Sequence, residues 1–244
     1  MKSISNYITT LLLILLASGC IIDFDDDGLR TCIRGEGGII SEELDIASFT
    51  GINLQVDAEV FITQGDEFSV VAEGQFNIIR ELEYRVRNGI WDIDLDRCVR
   101  RMDELHIYIT MPEISYLEIS GSGNIYGENV FDLDDVLLEI DGSGNMDLAM
   151  NADDIDAVIS GSGNIQLEGT ANDIYLRLEG SGLFRAFDLA SQRANIRIDG
   201  SGDAEVSVSE ELNVRILGSG DVRYKGQPLI DEERNGSGRV IDAN

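Results

Sequence analysis

From about residue 114 to the C-terminus, apolar and polar positions alternate in short bursts, each ending at a Gly-Ser-Gly. The seven copies begin at residues 121, 142, 161, 180, 200, 218 and 236. In the first six, the position two before the first glycine holds Ile119, Ile140, Ile159, Leu178, Ile198 and Ile216. Four before it stand Leu117, Leu138, Ala157, Leu176, Ile196 and Val214, with Glu118, Glu139, Val158, Arg177, Arg197 and Arg215 in between. A period of two predicts a strand with one buried and one solvated face. The alternation resumes after each corner, at Ile125, Met146, Ile165, Phe184, Ala204, Val222 and Val240. Each unit therefore reads as a strand, a tight corner, a second strand and a variable loop rich in Asp and Asn.

Successive corners lie 21, 19, 19, 20, 18 and 18 residues apart. A unit that short cannot enclose a core of its own and must stack on its neighbours. The expected fold is all-β, a parallel β-solenoid with coils ~4.8 Å apart. The structural corners are Gly121, Gly123, Gly142, Gly144, Gly161, Gly163, Gly180, Gly182, Gly200, Gly202, Gly218 and Gly220. Glycine is expected there for its access to positive φ and because stacked backbones pass close together.

Residues 36 to 116 are β-rich but irregular. Short strands are predicted over 52–56, 59–63, 68–72 and 105–110, with a helical turn over 77–82. Asn88-Gly89, between two alternating runs, signals a hairpin. Ile114 to Ile119 leads into the first corner without a linker, so 36–244 is expected to be a single domain whose first part caps and seeds the solenoid.

The N-terminus carries different signals. Lys2, the apolar stretch from Ile8 to Ala17 and the small residues before Cys20 predict a signal peptide over residues 1–19. Leu16-Ala17-Ser18-Gly19-Cys20 resembles a bacterial lipobox, which implies cleavage before Cys20 and its lipidation, with an anchor in the membrane. Ile21, by resemblance to enterobacterial sorting rules, favours the outer membrane. Residues 20–35, with the Asp23 to Asp27 cluster, read as an acidic tether. With Cys20 lipidated, Cys32 and Cys98 are left to pair in an oxidising compartment. Closing that loop would contribute ~4 kcal/mol by chain entropy. Free thiols or a metal site are the alternatives, though two cysteines without CxxC spacing make a poor zinc site.

Phe49-Thr50-Gly51-Ile52-Asn53, Val60-Phe61-Ile62-Thr63-Gln64-Gly65, Ile107-Tyr108-Ile109-Thr110-Met111-Pro112 and the serial Gly-Ser-Gly-Asn/Asp corners resemble the head GIN domain family. The resemblance spans roughly residues 45 to 225. It implies a β-helical fold and an adhesin-like role in secreted or lipid-anchored proteins, and it supplies no catalytic residues.

Charge narrows the partners. The chain carries 18 basic and 46 acidic residues, a formal net of −28. Nucleic acid is excluded as a partner, because phosphate backbones require basic patches. His106 is the one histidine, so no histidine-based triad or multi-histidine metal site can be assembled. The reading is a non-enzymatic protein with no cofactor and no metal, binding a glycan or envelope protein. A self-associating scaffold built through open solenoid ends is the first alternative, and a polysaccharide-active enzyme the second. The candidate ligand surface is the column Arg177, Arg197 and Arg215, one per coil, able to hold an acidic polysaccharide. Its competing explanation is pairing with Glu179, Asp199 and Glu205. Asp203 and Asp221 follow successive corners and would repel if stacked, a weaker cue to a cation.

Overall fold

The computed structural model describes residues 32–244, and Cys32–Asn244 form one compact unit. The expected signal peptide, Cys20 and the Asp23 to Asp27 cluster lie outside the described residues.

The chain first forms β1 (Ile33–Arg34), β2 (Ile39–Glu43), β3 (Gly51–Leu54), β4 (Glu59–Gln64) and β5 (Ser69–Gln75). A single turn of helix, α1 (Phe76–Ile79), slightly earlier than expected, leads to β6 (Val86–Arg87) and β7 (Ile90–Ile93). These two form the hairpin that Asn88-Gly89 announced. Both turn residues have positive φ, 53° and 80°, as a two-residue hairpin turn matched to strand twist requires. Then follow β8 (Val99–Arg101), β9 (His106–Met111), β10 (Tyr116–Ile119) and β11 (Asn124–Gly127). The long strands are β12 (Phe131–Ile140), β13 (Asn145–Ile159), β14 (Asn164–Leu178), β15 (Leu183–Ile198) and β16 (Asp203–Ile216). The chain closes with β17 (Val222–Lys225), β18 (Leu229–Arg234) and β19 (Val240–Asp242).

From β10 onward the strands stack as a parallel β-solenoid, each pairing with the strand one coil away. The apolar columns keep register: Ile119 lies beside Ile140, then Ile159, Leu178, Ile198 and Ile216, all between 0% and 1% exposed. These residues form the core.

The corners hold glycine for one of the two expected reasons only. Positive φ occurs at Gly37, Gly89, Gly169 and Gly226 and at no Gly-Ser-Gly glycine. Close approach is the cause. A Cβ on Gly161 would sit 1.9 Å from the carbonyl oxygen of Gly142, and one on Gly180 equally close to that of Gly161. That same oxygen accepts the next coil's serine N–H, at 3.0 Å for Ser162 to Gly142. The backbone ladder thus runs unbroken around the corner, and a side chain would cut it.

The segment read as a variable loop is not a loop. Asn145–Ile159 is continuous strand that bends where the alternation slips, between buried Ala152 and buried Ile155. The backbone is paired with the neighbouring coil on both sides of the bend and skips only the Asp153–Asn172 position at its apex.

The N-terminal rungs are stacked out of chain order. β10 rests on β3, and β3 rests on β7; in the second column β11 rests on β4, and β4 on β9. The chain lays down its middle rung first, drops below it, then climbs over both. Antiparallel β5 pairs with β9 and β2 pairs with β5, closing the lower end of the sheet. Cys32 and Cys98 form a disulfide, Cα atoms 4.5 Å apart, beside the small β1–β8 pair.

The upper end closes by charge. In β18 the core positions that hold Val214 and Ile216 one coil below carry Glu232 and Arg234. They pair with each other at 3.1 Å, and no residue of β18 is buried. Inward-pointing charges blunt an edge strand against further pairing, and a polar outer face is what a terminal repeat requires.

Candidate functional site

The bend in each long strand creates an open groove of about 850 Å³. It runs up the stack from β12 to the segment after β17, crossing about five coil spacings, roughly 24 Å. Its floor is the column Leu133, Ala152, Ala171, Ser191 and Val208, ending at Gly226. Ala152, Ala171, Ser191 and Gly226 are small and keep the floor low there. Gly226, with φ +99°, would place a Cβ 2.1 Å from the Val208 carbonyl oxygen. One wall is the registered column Asp132, Asn151, Thr170, Ala190, Ser207 and Lys225. The other is formed by Asp134, Asp153, Asn172, Gln192, Ser209 and Gln227.

The wall side chains are held in ladders. Asn151 Nδ2 donates to Asp132 Oδ1 at 2.9 Å, and Thr170 Oγ1 donates to Asn151 Oδ1 at 2.9 Å. Across the groove Asn172 Nδ2 donates to Asp153 Oδ1 at 2.7 Å, and Gln192 Nε2 to Asn172 Oδ1 at 2.8 Å. Deeper in, Ser191 Oγ, 4% exposed as a residue, donates to the Ser207 carbonyl at 2.9 Å. Asn151 and Asn172 are each fixed in orientation by two neighbours and Gln192 by one, yet each amide keeps a further N–H and an oxygen lone pair for a ligand. Charge is uneven along the groove: Asp132, Asp134 and Asp153 stand at the lower end, and Lys225 at the upper end over the Phe187 ring at 4.3 Å.

The arginine column is real but neutralised. Arg177, Arg197 and Arg215 stack in register. Arg177 pairs with Glu179, Arg197 with Asp199 at 2.8 Å, and Arg215 with Glu233 at 3.5 Å. Two of the three partners are those the competing explanation named; the third is Glu233 rather than Glu205. Arg197 holds the Asp199 carboxyl below the usual carboxylate range, chiefly by their hydrogen bond.

The corner column follows the same logic. Asn145 Nδ2 donates to Asn124 Oδ1 at 2.9 Å, and Asn164 Nδ2 to Asn145 Oδ1 at 2.7 Å. Asp203 and Asp221 are stacked, but arginines answer them: Arg223 reaches Asp203 at 3.2 Å and Arg239 reaches Asp221 at 2.7 Å. Their carboxylates also accept the backbone N–H of Asp221 and Arg239, at 2.7 and 2.9 Å. Among the described residues no group of three or more His, Cys, Asp or Glu side chains is placed to hold a metal. His106 is the first residue of β9. Its Nε2 is 3.2 Å from Glu59 Oε2 without hydrogen-bond alignment, and its ring lies edge-on to Phe61 at 5.7 Å.

One further cluster lies on the same face as the arginines, lower in the stack. The Tyr116 hydroxyl is 2.7 Å from Glu118 Oε2 and 2.5 Å from Glu139 Oε2. Burial and the two carboxylates push its pKa well above the ordinary tyrosine value, so it stays a neutral donor.

Sequence reasoning missed the groove because the Asp- and Asn-rich stretch was read as loop. The usable signal was the spacing Asp132-x-Asp134, Asn151-x-Asp153, Thr170-x-Asn172, one apolar residue flanked by polar ones in successive coils.

The chain belongs to the head GIN domain family: the family model described as "Putative auto-transporter adhesin, head GIN domain" matches residues 48–228. The fold is shared with solved structures. A "putative adhesin" from Bacteroides fragilis is 24% identical with a TM-score of 0.82, over 86% of this chain and 99% of that one. One from Parabacteroides distasonis is 22% identical with a TM-score of 0.73, over 87% and 100% of the two chains. A "Putative lipid binding protein" from the same species is also 22% identical with a TM-score of 0.73, over 88% and 100%. No curated protein matches.

Proposed function

We propose that this head GIN domain protein is a non-catalytic adhesin-like module of the cell envelope, anchored through Cys20, and that the bent-strand groove is its binding surface. The observation that carries the reading is the repetition of the groove. Polar side chains recur on both walls through successive coils, and Asp132–Asn151–Thr170 and Asp153–Asn172–Gln192 are pre-oriented by their ladders. Preorganised groups lose little entropy on binding. A surface repeated along an axis suits a partner that is itself extended, as concave solenoid faces generally do.

The anchor rests on the Leu16 to Cys20 motif, and the acidic stretch after it supplies reach. The arginine column is the weaker candidate because its charges are spent on Glu179, Asp199 and Glu233.

Envelope preparations or intact cells, probed with the folded protein, test the reading. Replacing Asn151, Thr170 and Asn172 together by alanine is expected to abolish adhesion, while the triple change of Arg177, Arg197 and Arg215 to alanine leaves it intact. The reverse pattern would move the site to the arginine face and sink the groove.

A further inference from the structure

We infer that the groove takes a neutral, linear glycan lying along the solenoid axis, with about one sugar unit per coil; this rests on the groove being the binding surface. Three observations separate a glycan from the alternatives.

The first concerns the backbone. A peptide bound in extended form gains most from main-chain hydrogen bonds to an exposed strand edge. The groove is not an open strand edge: on both sides of the bend each coil stays paired with the coils above and below, and only the apex residues Asp134, Asp153, Asn172 and Gln192 stand outside that pairing. What faces the groove is side-chain amide and hydroxyl.

The second is the period. Wall groups recur at the coil spacing of ~4.8 Å, whereas side chains on one face of an extended peptide recur every two residues, ~6.8 Å. A peptide would fall out of step within two coils. A pyranose with its linkage is close in length to one coil, so each ring meets one pair of wall residues, such as Thr170 and Asn172. Adjacent ring hydroxyls, each donor and acceptor, match amides that retain both functions.

The third is charge. Asp132, Asp134 and Asp153 line the lower half, the chain as a whole is at −28, and Lys225 is the single cation in the groove. An acidic polysaccharide would be repelled on the lower two of the six coils and by the net charge of the whole chain. A polycation would meet Lys225 at the upper end and only uncharged amides and hydroxyls in the middle. This reverses the sequence expectation, which paired an acidic polysaccharide with the arginine column.

An array of neutral, acidic and cationic linear glycans beside a library of extended peptides, probed with the folded protein, tests the inference. A ladder of oligosaccharides built from the best neutral binder, dimer to octamer, is then titrated by calorimetry. Affinity should climb with each added sugar until the groove is filled, at about six units for its roughly 24 Å, and then level off. Alanine at Asn172 should weaken the hexamer about tenfold and the dimer less. Binding at low salt only, preference for acidic or cationic glycans, binding of peptides instead, or no rise with length would each overturn the glycan assignment. Loss of the preferred probe on alanine substitution at Asn151, Thr170 and Asn172 would then still keep the groove as the site. If glycans bind but the groove substitutions leave them unaffected, both readings fall together.

Discussion

The upper stack and the lower rungs reach the same geometry by opposite means. In β12 to β16 each coil pairs with the one about nineteen residues later, and its corner is fixed by a glycine that no side chain can replace. In the lower rungs the chain visits the stack out of order, turns at Gln55–Ala58 without a Gly-Ser-Gly, and relies on an antiparallel cap and a disulfide. A repeat needs only nearest-neighbour instructions. An end needs something that prevents the next neighbour, and that cannot be written as a repeat.

The largest effect should come from breaking the repeat rule itself. Gly161→Ala puts a Cβ 1.9 Å from the Gly142 carbonyl oxygen, so a coil must shift. We expect a loss above ~4 kcal/mol or no folded protein, by denaturant unfolding. Exposed Ser162→Ala in the same corner should change stability by less than ~0.5 kcal/mol. Equal effects would mean that close approach does not set the corner.

Next comes the staple of the irregular region. Removing the Cys32–Cys98 bond by serine substitution should cost ~2–4 kcal/mol. Hydrogen exchange should rise at Ile33–Arg34 and Val99–Arg101 while Asn145–Ile216 stays protected. Uniform deprotection of both regions would show that they unfold as one unit.

The charged upper end predicts a change of assembly rather than of stability. Restoring the repeat with Glu232→Val and Arg234→Ile should extend the apolar columns to an open edge and produce concentration-dependent association in sedimentation velocity. The native sequence should remain monomeric under the same conditions. Association of the native protein through this end would favour the scaffold alternative.

The smallest effects are electrostatic, and their signs oppose. Asp221 is held low by its hydrogen bond to Arg239, so its stabilisation is present above the ordinary carboxylate pKa and fades as pH falls through its lowered value. Asp154 is pushed up by desolvation and by Asp173 and Asp135, so its charge opposes folding at neutral pH and that penalty disappears on acidification. At pH 7 Asp221→Asn should lower the melting temperature and Asp154→Asn should raise it slightly. Both differences should close once the pH lies below both carboxylate ranges.

Much of this was readable in order of chain. Ile119 through Ile216 named the core column, Asn88-Gly89 named the hairpin, and the corners named the coil. Two features were hidden. The bend at Asn151–Asp154 interrupts the period-two pattern by a single step, which in one dimension looks like the end of a strand. The polar cap was present as Glu232 and Arg234 in the seventh copy, where the other six hold apolar residues.

The sequence by itself determined the unit, its stacking and which face is buried. Those depend on alternation and on glycine, and both act over a few residues. Only the tertiary structure decided the order of the lower rungs, the fate of the arginines and the existence of the groove. Each of these depends on which groups meet after stacking. An arginine column becomes a neutral one when Glu179, Asp199 and Glu233 come within reach. A slipped alternation becomes a continuous groove only when successive coils repeat it one above the other.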